Sequence, residues 1–598
     1  MTSGWKRPLV AGIGAVITFV AAGSPLRPGL IPPAPALALE APTLAQLIGQ
    51  KLMMTMSGTT PDADLLGRVQ RGEVGGVILF RSNITSASQL SAAATKLRNA
   101  AAAGGRPPLL IATDQEGGSV KRISWAPPTL SPPQMGALGD ASRAYYQGKA
   151  TGIVLQCAGV NNNLAPVADV PSSTNSFMYQ QARTWSFSAS MTATLSDAFA
   201  SGLKAGTDVA TMKHFPGIGM AALNTDSNVV TITASKSALA PGLLPYQKAI
   251  SHHIPLIMLS NATYTAYDSA NAAGWSHAIS VGLLRTSLGF TGVSITDSLD
   301  GTAAARHVSV TSLAIKAAQA GTDMILLTSS EPVSKTIYAN LLVAAQNGTI
   351  PTATLQTSYN RILALKAAMT TPPRDTKPPS AKAPVSRLYS GTQLGASTSP
   401  VLSSWSAPDA CSISRYVVER RVNGGPWVVQ SLATATSPSI AQSLTIGSTY
   451  RYVMKATDGA GNTSGWVYGP FFKPLLTQQS GSGVSYGETW HIVLNHPYAS
   501  GGSLAYSTAA GASATFRFTG YAVSWVAYRG PNRGSAAVYV DGIYKATVNL
   551  YSAAYQARPM VYAVNWASNG THTIKILNLG TAGHPRVDVD AFVRLYAS

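Results

Sequence analysis

Short apolar runs alternate with longer helical segments between about residues 45 and 370, and this alternation restricts the possible fold more than any other feature. The helical segments include Ala87–Ala103 and Ser190–Ala205, whose apolar residues recur near the helical period. The eight strand-like runs are Lys51–Met56, Gly76–Phe80, Leu109–Thr113, Asn163–Val167, Val209–His214, Pro255–Ser260, Gly292–Thr296 and Met324–Thr328. The pattern predicts an N-terminal (β/α)8 TIM barrel. A doubly wound open sheet is the alternative, but no Gly-rich phosphate turn follows the first strand.

Polar residues follow several of these strands at the point where each strand ends. Asp114 follows the third strand, Lys213 and His214 end the fifth, Asn261 follows the sixth and Asp297 follows the seventh. In a (β/α)8 barrel these positions face one end, where catalytic groups lie. The sequence therefore predicts an active site at the carboxyl ends of the strands.

The chain of 598 residues is too long for one core, and its pattern changes after the barrel. We expect the barrel over 39–371 and a Pro-rich linker over 372–384, read from "PPRDTKPPSAKAP". Short alternating strands then predict an all-β sandwich domain over 385–474, which resembles a fibronectin type III module through Trp405, Tyr416 and Tyr452. A last β-sandwich over 485–598 resembles the attachment modules of secreted hydrolases, so we expect it to bind carbohydrate or cell wall.

The N-terminus and the charge balance bear on location and partners. Lys6 and Arg7 precede an apolar run, and small residues around Ala36 resemble a cleavage site, so a signal peptide is expected over 1–38 and the protein is expected to be secreted. The alternative to a cleaved signal peptide is an uncleaved N-terminal anchor. Contact with a membrane is expected only through that anchor. The net charge is +19 but no block of Lys/Arg appears, which argues against nucleic acid and suits residence near an anionic cell wall.

The two cysteines, Cys157 and Cys411, lie in different predicted domains. We therefore expect no disulfide between them, and two cysteines cannot build a metal site. Both are expected to be small buried hydrophobic residues.

Two segments offer groups that could hold a sugar. In "ATDQEGGSVKRI", Asp114 can accept two hydrogen bonds from hydroxyls, and Arg122 follows after a Gly-Gly turn. Alternatively, Asp114 caps a helix with Glu116 in its first turn. In the loop "QQARTWSFS", after Asp169, Arg183 can form a fork onto a carboxylate or sugar oxygens, or a loop salt bridge.

A carboxylate at the end of the seventh strand can attack an anomeric carbon. Asp297 in "GVSITDSLDG" occupies this position, with an N-cap for the next helix as the alternative role. Together with "DQEGG", "NLAPVADV", "ARTWSFS" and "KHFPGIG", this segment resembles family 3 glycoside hydrolases of the β-N-acetylglucosaminidase type over about residues 45–370. The resemblance implies a retaining displacement on β-linked N-acetylglucosamine, with Asp297 as nucleophile and no metal or organic cofactor. It also implies a set of sugar-binding residues: Asp114, Arg122, Arg183, Lys213 and His214.

The segment "KHFPGIGMAALNTDSN" departs from that family in two places. Ile218 stands where the family has a second His, and Asn228 stands where its loop has the acid/base His. Asn cannot donate or take a proton near neutral pH. We expect Asp226 to act as the acid/base, provided that burial raises its pKa. A carboxylate from elsewhere, or phosphate acting as acceptor in a phosphorylase or transferase, are the alternatives.

The sequence thus predicts a secreted β-N-acetylhexosaminidase acting on N-acetylglucosamine-containing glycans, with cell-wall polysaccharide as a further expected partner. The competing hypothesis is a non-catalytic glycan-binding wall protein on a degenerate barrel.

Overall fold

The computed structural model describes residues 42–369, 375–409 and 411–597, so the predicted signal peptide lies outside the described residues. Eight parallel strands form one sheet in the order β7-β6-β5-β4-β3-β2-β1-β8. Their bounds are β1 Leu52–Thr55, β2 Gly76–Leu79, β3 Leu110–Thr113, β4 Asn162–Asn163, β5 Val209–Phe215, β6 Leu256–Leu259, β7 Val293–Thr296 and β8 Ile325–Leu327. All eight predicted strands are present, and the predicted barrel is confirmed.

The barrel closes between β7 and β8. The N–H of Met324 donates to the carbonyl of Ser294 over 2.8 Å, and the N–H of Thr296 donates to the carbonyl of Met324 over 3.1 Å. The interior is filled by apolar side chains of the barrel strands, among them Met53, Leu110 and Leu256. Because both faces of each strand are covered, the strands read as continuous apolar runs in the sequence.

Twelve α-helices surround the strands within the described part of the barrel. Their bounds are α1 Leu44–Lys51, α2 Ala63–Arg71, α3 Ala87–Ala103, α4 Pro132–Leu138, α5 Ala141–Cys157, α6 Phe177–Gln180, α7 Ala189–Ala205, α8 Lys236–Ser251, α9 Leu299–Ala305, α10 Val310–Gln319, α11 Glu331–Gln346 and α12 Thr352–Ala368, with a π-helix over Ala278–Ser287. Ser86 and Ser188 begin α3 and α7 by accepting a backbone N–H through their side chains. Across 42–369, 375–409 and 411–597, no helix has the length and hydropathy needed to cross a membrane.

Short strands outside the barrel ladder shape its carboxyl-terminal end. Gln115–Gly117 and Val120–Lys121 form a hairpin directly after β3. Thr231–Ile232, Thr263–Tyr264 and Asp268–Ala272 form a second small sheet beyond β5 and β6. The hairpin contradicts the alternative in which Asp114 caps a helix.

The remaining described chain is all-β. We call residues 375–478 the first β unit and residues 479–597 the second β unit. The first contains β9 Lys382–Arg387, β10 Thr392–Gln393, β11 Thr398–Ser406, β12 Ile413–Val422, β13 Val428–Val429, β14 Ser439–Thr445, β15 Tyr450–Asp458, β16 Val467–Tyr468 and β17 Phe472–Gln478. The second contains β18 Val484–Gly487, β19 His491–Val493, β20 Leu504–Ser507, β21 Ser513–Val526, β22 Ser535–Val540, β23 Ile543–Asn549, β24 Pro559–Asn578, β25 Val587–Val589 and β26 Ala591–Ala597. Strand β9 begins within the predicted linker.

One sheet runs through both β units. Strand β17 pairs antiparallel with β26, from Phe472 opposite Ala597 to Gln478 opposite Ala591. The sheet order is β13-β12-β15-β17-β26-β21-β24-β22-β23, and β9-β11-β14 form a separate sheet. A shared core contains Trp405 and Tyr452 of the first unit together with Leu595 of the second. The two predicted β domains are therefore joined by main-chain pairing and by apolar packing.

The expectation that Cys157 and Cys411 are unpaired is wrong. They form a disulfide with Cα atoms 5.7 Å apart, across a sequence separation of 254 residues. The bond joins the last residue of α5 to the first β unit. Beside it, the β15–β16 turn packs so closely on the barrel that a Cβ at Gly461 would lie 2.6 Å from the Cα of Ser88 in α3. Sequence separation alone could not reveal this contact.

Candidate active site

A cavity of about 340 Å³ opens at the carboxyl ends of the barrel strands. Apolar side chains from β2 and β8, Ile78 and Leu326, form part of its floor. The cavity is lined by all seven predicted catalytic and sugar-binding residues: Asp114, Arg122, Arg183, Lys213, His214, Asp226 and Asp297. Six different loops or strand ends thus bring seven charged or titratable groups to one site.

Lys213, Arg183 and two carboxylates form a buried charge network on one side of the cavity. Lys213 Nζ lies 2.7 Å from Asp114 Oδ1 and 2.7 Å from Glu116 Oε1. Arg183 forms a fork onto Glu116, with Nε donating over 2.8 Å and Nη2 over 2.7 Å. Burial alone would raise the pKa of Glu116, but the charges of Arg183 and Lys213 hold that pKa well below its usual range.

The same network keeps Lys213 charged. Burial lowers the pKa of Lys213, but the carboxylates of Asp114 and Glu116 outweigh it and leave the pKa above its usual value. The sequence offers Glu116 only as a residue in the first turn of a helix. In the structure it lies in an extended hairpin, two residues from Asp114, and accepts from both cations. The spacing Asp-x-Glu in an extended segment could have indicated that both carboxylates face one side.

Asp114 is positioned to accept hydroxyl groups. Its Oδ1 accepts from Lys213, while Oδ2 lies 3.6 Å from Arg122 Nη2 and is the less tightly held oxygen. The Arg122 guanidinium lies over the ring of Phe80, with 5.8 Å between its central carbon and the ring centroid. A carboxylate placed in this way retains lone pairs for sugar hydroxyls.

Asp169 fixes the imidazole of His214. Its Oδ2 lies 2.7 Å from His214 Nδ1, and its Oδ1 accepts the backbone N–H of Ile218 over 2.8 Å. Asp169 is fully buried, so the ring nitrogen it contacts is not available to a ligand. The other nitrogen, His214 Nε2, lies 4.0 Å from Asp297 Oδ2. Ile218 packs in the core beneath this loop.

Asp297 emerges from β7 with its backbone held in place. Its N–H donates to the carbonyl of Leu259, the last residue of β6, over 2.8 Å. Its Oδ1 accepts the N–H of Ser298 over 2.8 Å, and Asn261 Nδ2 donates to the carbonyl of Ser298 over 2.7 Å. The Asp297 side chain does not cap α9, and it retains an oxygen facing His214 and the cavity.

Asp226 comes from the loop after β5 and shares the cavity with Asp297. Asp226 is exposed as a whole residue, yet it lines the cavity, where surrounding protein atoms desolvate its carboxyl group. This desolvation, together with the negative charge of Asp297, raises the pKa of Asp226 to about 6, against the opposing charges of His214, Arg183 and Lys213. A carboxyl group with this pKa can both donate and accept a proton near neutral pH.

The loop that carries Asp226 rests on α9. A Cβ built at Gly301 would lie 2.3 Å from the carbonyl oxygen of Asp226 and 3.3 Å from its Cβ. Asn228 turns away from the reacting groups: its Nδ2 donates to the carbonyl of Asn224 over 3.1 Å and to Ser227 Oγ over 3.1 Å. Sequence reasoning did not identify Gly301, since its importance depends on a contact between distant segments.

One group of described residues has spacing that could hold a metal ion, and it lies outside the cavity. It comprises Asp375, Asp409 and Cys411. The sulfur of Cys411 is bonded to Cys157 and offers no thiolate, which leaves two carboxylates. The expectation of no metal and no organic cofactor stays a prediction.

Charged residues gathered at the carboxyl ends of a (β/α)8 barrel, with Asp226 and Asp297 sharing one sugar-sized cavity, define the site of a barrel glycoside hydrolase. Residues 43–365 match the family model described as the glycosyl hydrolase family 3 N-terminal domain. The chain belongs to glycosyl hydrolase family 3 and is a glycoside hydrolase, as the resemblance predicted.

Named relatives agree with this family. A protein of Arthroderma benhamiae named "Uncharacterized secreted glycosyl hydrolase" is 33% identical over 344 residues, covering 56% of this chain and 96% of the relative. A protein of Nitrosomonas eutropha named "Beta-hexosaminidase" is 33% identical over 286 residues, covering 46% of this chain and 80% of the relative. Both alignments are far shorter than this chain.

Solved structures with the same barrel include two enzymes of related names. A family 3 β-N-acetylglucosaminidase from Paenibacillus sp. str. FPU-7 superposes with a TM-score of 0.54 at 29% identity, covering 56% of this chain and 64% of that chain. A β-N-acetylhexosaminidase from Beutenbergia cavernae gives a TM-score of 0.51 at 29% identity, covering 55% of this chain and 99% of that chain.

Proposed function

We propose that the protein is a retaining β-N-acetylhexosaminidase that cleaves terminal β-linked N-acetylhexosamine from glycans. The observation that carries the proposal is the cavity shared by Asp297 and Asp226, in which desolvation and the charge of Asp297 raise the pKa of Asp226 to about 6. Two carboxyl groups that share one site are what glycoside hydrolysis generally uses, one as nucleophile or base and the other as proton donor. The β-hexosaminidase names of the relatives support the choice of sugar.

In the first step, an oxygen of Asp297 attacks the anomeric carbon and forms a covalent glycosyl-enzyme. The bond from that carbon to the leaving oxygen breaks, and protonated Asp226 gives its proton to this oxygen. In the second step, Asp226 takes a proton from water, the water oxygen attacks the anomeric carbon, and Asp297 leaves as a carboxylate. Asp114, Arg122, Arg183, Lys213 and His214 are proposed to bind the sugar hydroxyls.

His214 supports the nucleophile from one side. Its Nε2 faces Asp297 at 4.0 Å, and Asp169 holds its ring through Nδ1. Because Nδ1 faces the Asp169 carboxylate, it carries the proton of the neutral ring, and Nε2 keeps a lone pair that can accept from a sugar hydroxyl next to Asp297. We assign His214 a binding role and assign proton transfer to Asp226.

We also propose that the protein acts outside the cell. The Cys157–Cys411 disulfide is the supporting observation, because such bonds persist mainly in oxidising compartments. The name of the Arthroderma relative agrees with this location.

Turnover of two aryl N-acetyl-β-glucosaminides, one with a good and one with a poor phenol leaving group, tests the proposal. Asp297→Ala should abolish turnover of both glycosides. It should also prevent the covalent glycosyl-enzyme, which is measured as a mass increase on the peptide that contains residue 297. Asp226→Asn should affect mainly the poor leaving group. Asp64→Asn, which changes an exposed carboxylate of α2, serves as the matched control. Full turnover by Asp297→Ala would refute the nucleophile, and sugar 1-phosphate formed in phosphate buffer would favour a phosphorylase.

A further inference from the structure

The outward face of the first β unit carries a row of cations. Along β15, Tyr452 and Met454 enter the core, so the alternating residues Arg451 and Lys455 lie on the opposite face. Arg421 of β12 lies directly opposite Arg451 in the same face. We call the set formed by these three cations and the four aromatic residues described next the cationic aromatic face.

Four aromatic rings lie between these cations. They belong to Trp427, Trp466, Tyr468 and Phe471. Of these residues, Trp466, Tyr468 and Phe471 are 37%, 48% and 36% exposed. The guanidinium carbon of Arg451 lies 4.9 Å from the Tyr468 ring centroid and 4.5 Å from that of Phe471. Lys455 Nζ lies 4.7 Å from the centroid of Trp466, and Arg421 lies 5.9 Å from that of Trp427.

The three cations of this face have no carboxylate partner in the part of the chain that the structure describes. Within residues 42–369, 375–409 and 411–597, no carboxylate oxygen lies within the 4.0 Å salt-bridge distance of Arg421, Arg451 or Lys455. Glu419 shares the face but bonds to none of them. Like charges directly opposite on a sheet destabilise it, and Arg421 and Arg451 are in that relation. An anionic partner would remove this repulsion.

We propose that the cationic aromatic face binds a polysaccharide that carries anionic groups. Exposed flat rings stack on sugar rings, and cations held between those rings meet carboxylate or phosphate groups along the polymer. A glycan is favoured over nucleic acid because the chain is a glycoside hydrolase, whose substrate is a glycan. Binding here would hold the barrel, bonded to the same β unit through Cys157–Cys411, close to an anionic polymer.

A purely structural cation–π ladder is the competing explanation, because such contacts also stabilise a sheet. The two explanations differ in what the substitutions change. A structural ladder predicts a lower Tm with polymer binding intact, whereas a binding face predicts lost binding at a nearly constant Tm. The arginine pair is the sharper site for substitution, since removing like charges relieves repulsion. Arg421 Nε also donates to the carbonyl of Gly425 over 2.8 Å, and Arg451 Nε donates to that of Gly469 over 2.9 Å, so the Tm of the variant is measured together with its binding.

Affinity electrophoresis of the full chain in gels with carboxymethylcellulose or neutral hydroxyethylcellulose tests the proposal. Wild type should be retarded by the anionic polymer, and Arg421→Gln/Arg451→Gln should weaken the apparent Kd by about tenfold. Trp466→Ala/Tyr468→Ala should weaken it as well. The matched control Lys96→Gln/Lys545→Gln removes two exposed charges elsewhere and should keep the wild-type Kd.

Four outcomes would overturn the proposal. The first is equal retardation by both polymers, and the second is an unchanged Kd in the arginine variant together with a lowered Tm. The third is a loss of polymer binding in the control equal to that in the arginine variant. The fourth is tighter binding to double-stranded DNA or anionic phosphatidylglycerol vesicles than to carboxymethylcellulose at equal salt. The proposal is supported if salt weakens the retardation of the wild type and of the control by carboxymethylcellulose, and if the arginine variant is not retarded.

Discussion

Lys213 is the residue on which the sugar-binding side of the cavity depends. It touches Asp114, which faces the cavity, and Glu116, which holds Arg183. The sequence predicted Lys213, Asp114 and Arg183 as sugar-binding residues, but not the carboxylate that connects them. A linear sequence does not state whether Glu116 enters a helix or a hairpin, and only the hairpin turns it toward both cations.

Replacing Glu116 with Gln should therefore impair folding and binding together. Arg183 and Lys213 would remain buried with one carboxylate fewer, and breaking a buried pair costs about 3–5 kcal/mol of the free energy of unfolding. We expect a lower midpoint in urea unfolding and a raised KM for an aryl N-acetyl-β-glucosaminide. Asp64→Asn, which alters an exposed carboxylate paired with Lys335 outside the cavity, is the control and should change neither quantity. An unchanged midpoint in Glu116→Gln would contradict the network.

The raised pKa of Asp226 predicts a specific pH dependence. Its carboxyl group has a pKa of about 6, so the protonated acid is present below that pH and is lost as the pH rises through it. We expect kcat/KM for the poor leaving group to fall above about pH 6. That limb should be weak for the good leaving group, which needs no proton.

Asp226→Asn provides the matching variant. Loss of general acid help should lower kcat/KM for the poor leaving group by about 10²–10⁴-fold, and the limb near pH 6 should disappear. The same limb in wild type and in Asp226→Asn would show that another group supplies the proton.

At the scale of elements, the eight barrel strands could be predicted because each is a short apolar run bounded by turn residues. β4 is the strand that deviates most, with two residues against the predicted Asn163–Val167. Its asparagine side chains bond to neighbouring backbone, as Asn162 Nδ2 does to the carbonyl of Val209 over 2.9 Å. Side-chain bonds of this kind replace ladder bonds and end regular pairing.

The position of the Asp226 loop could not be predicted, since it depends on a contact with α9. Gly301 leaves the space that the Asp226 carbonyl occupies. Gly301→Ala should push the loop outward and lower kcat/KM for the poor leaving group, while the good leaving group is affected much less. Gly282→Ala in the π-helix, where the nearest atom lies 4.0 Å from the new Cβ, is the control. Equal losses for both leaving groups would indicate general damage to the cavity.

For the whole molecule, the sequence separated barrel from β strands correctly but did not reveal how they are joined. Domain order follows from local patterns, such as periodicity and Pro-rich composition. The β17–β26 pairing and the Cys157–Cys411 bond are instead long-range contacts between segments whose local patterns are complete without each other. The reasoning that cysteines of different domains stay unpaired fails because the domains pack against each other.

The disulfide predicts how the whole chain unfolds. A bond across 254 residues restricts the unfolded chain strongly, and removing it typically costs about 2–4 kcal/mol. Cys157→Ser/Cys411→Ser should therefore lower the Tm of the chain, and reducing agent should lower the Tm of wild type but not of the variant. Because the bond lies outside the cavity, hydrolysis of the aryl glycoside at 25 °C should change little. An unchanged Tm would mean that the shared sheet and core join the units without help from the disulfide, whereas lost hydrolysis with intact folding would mean that the β units act on the active site itself.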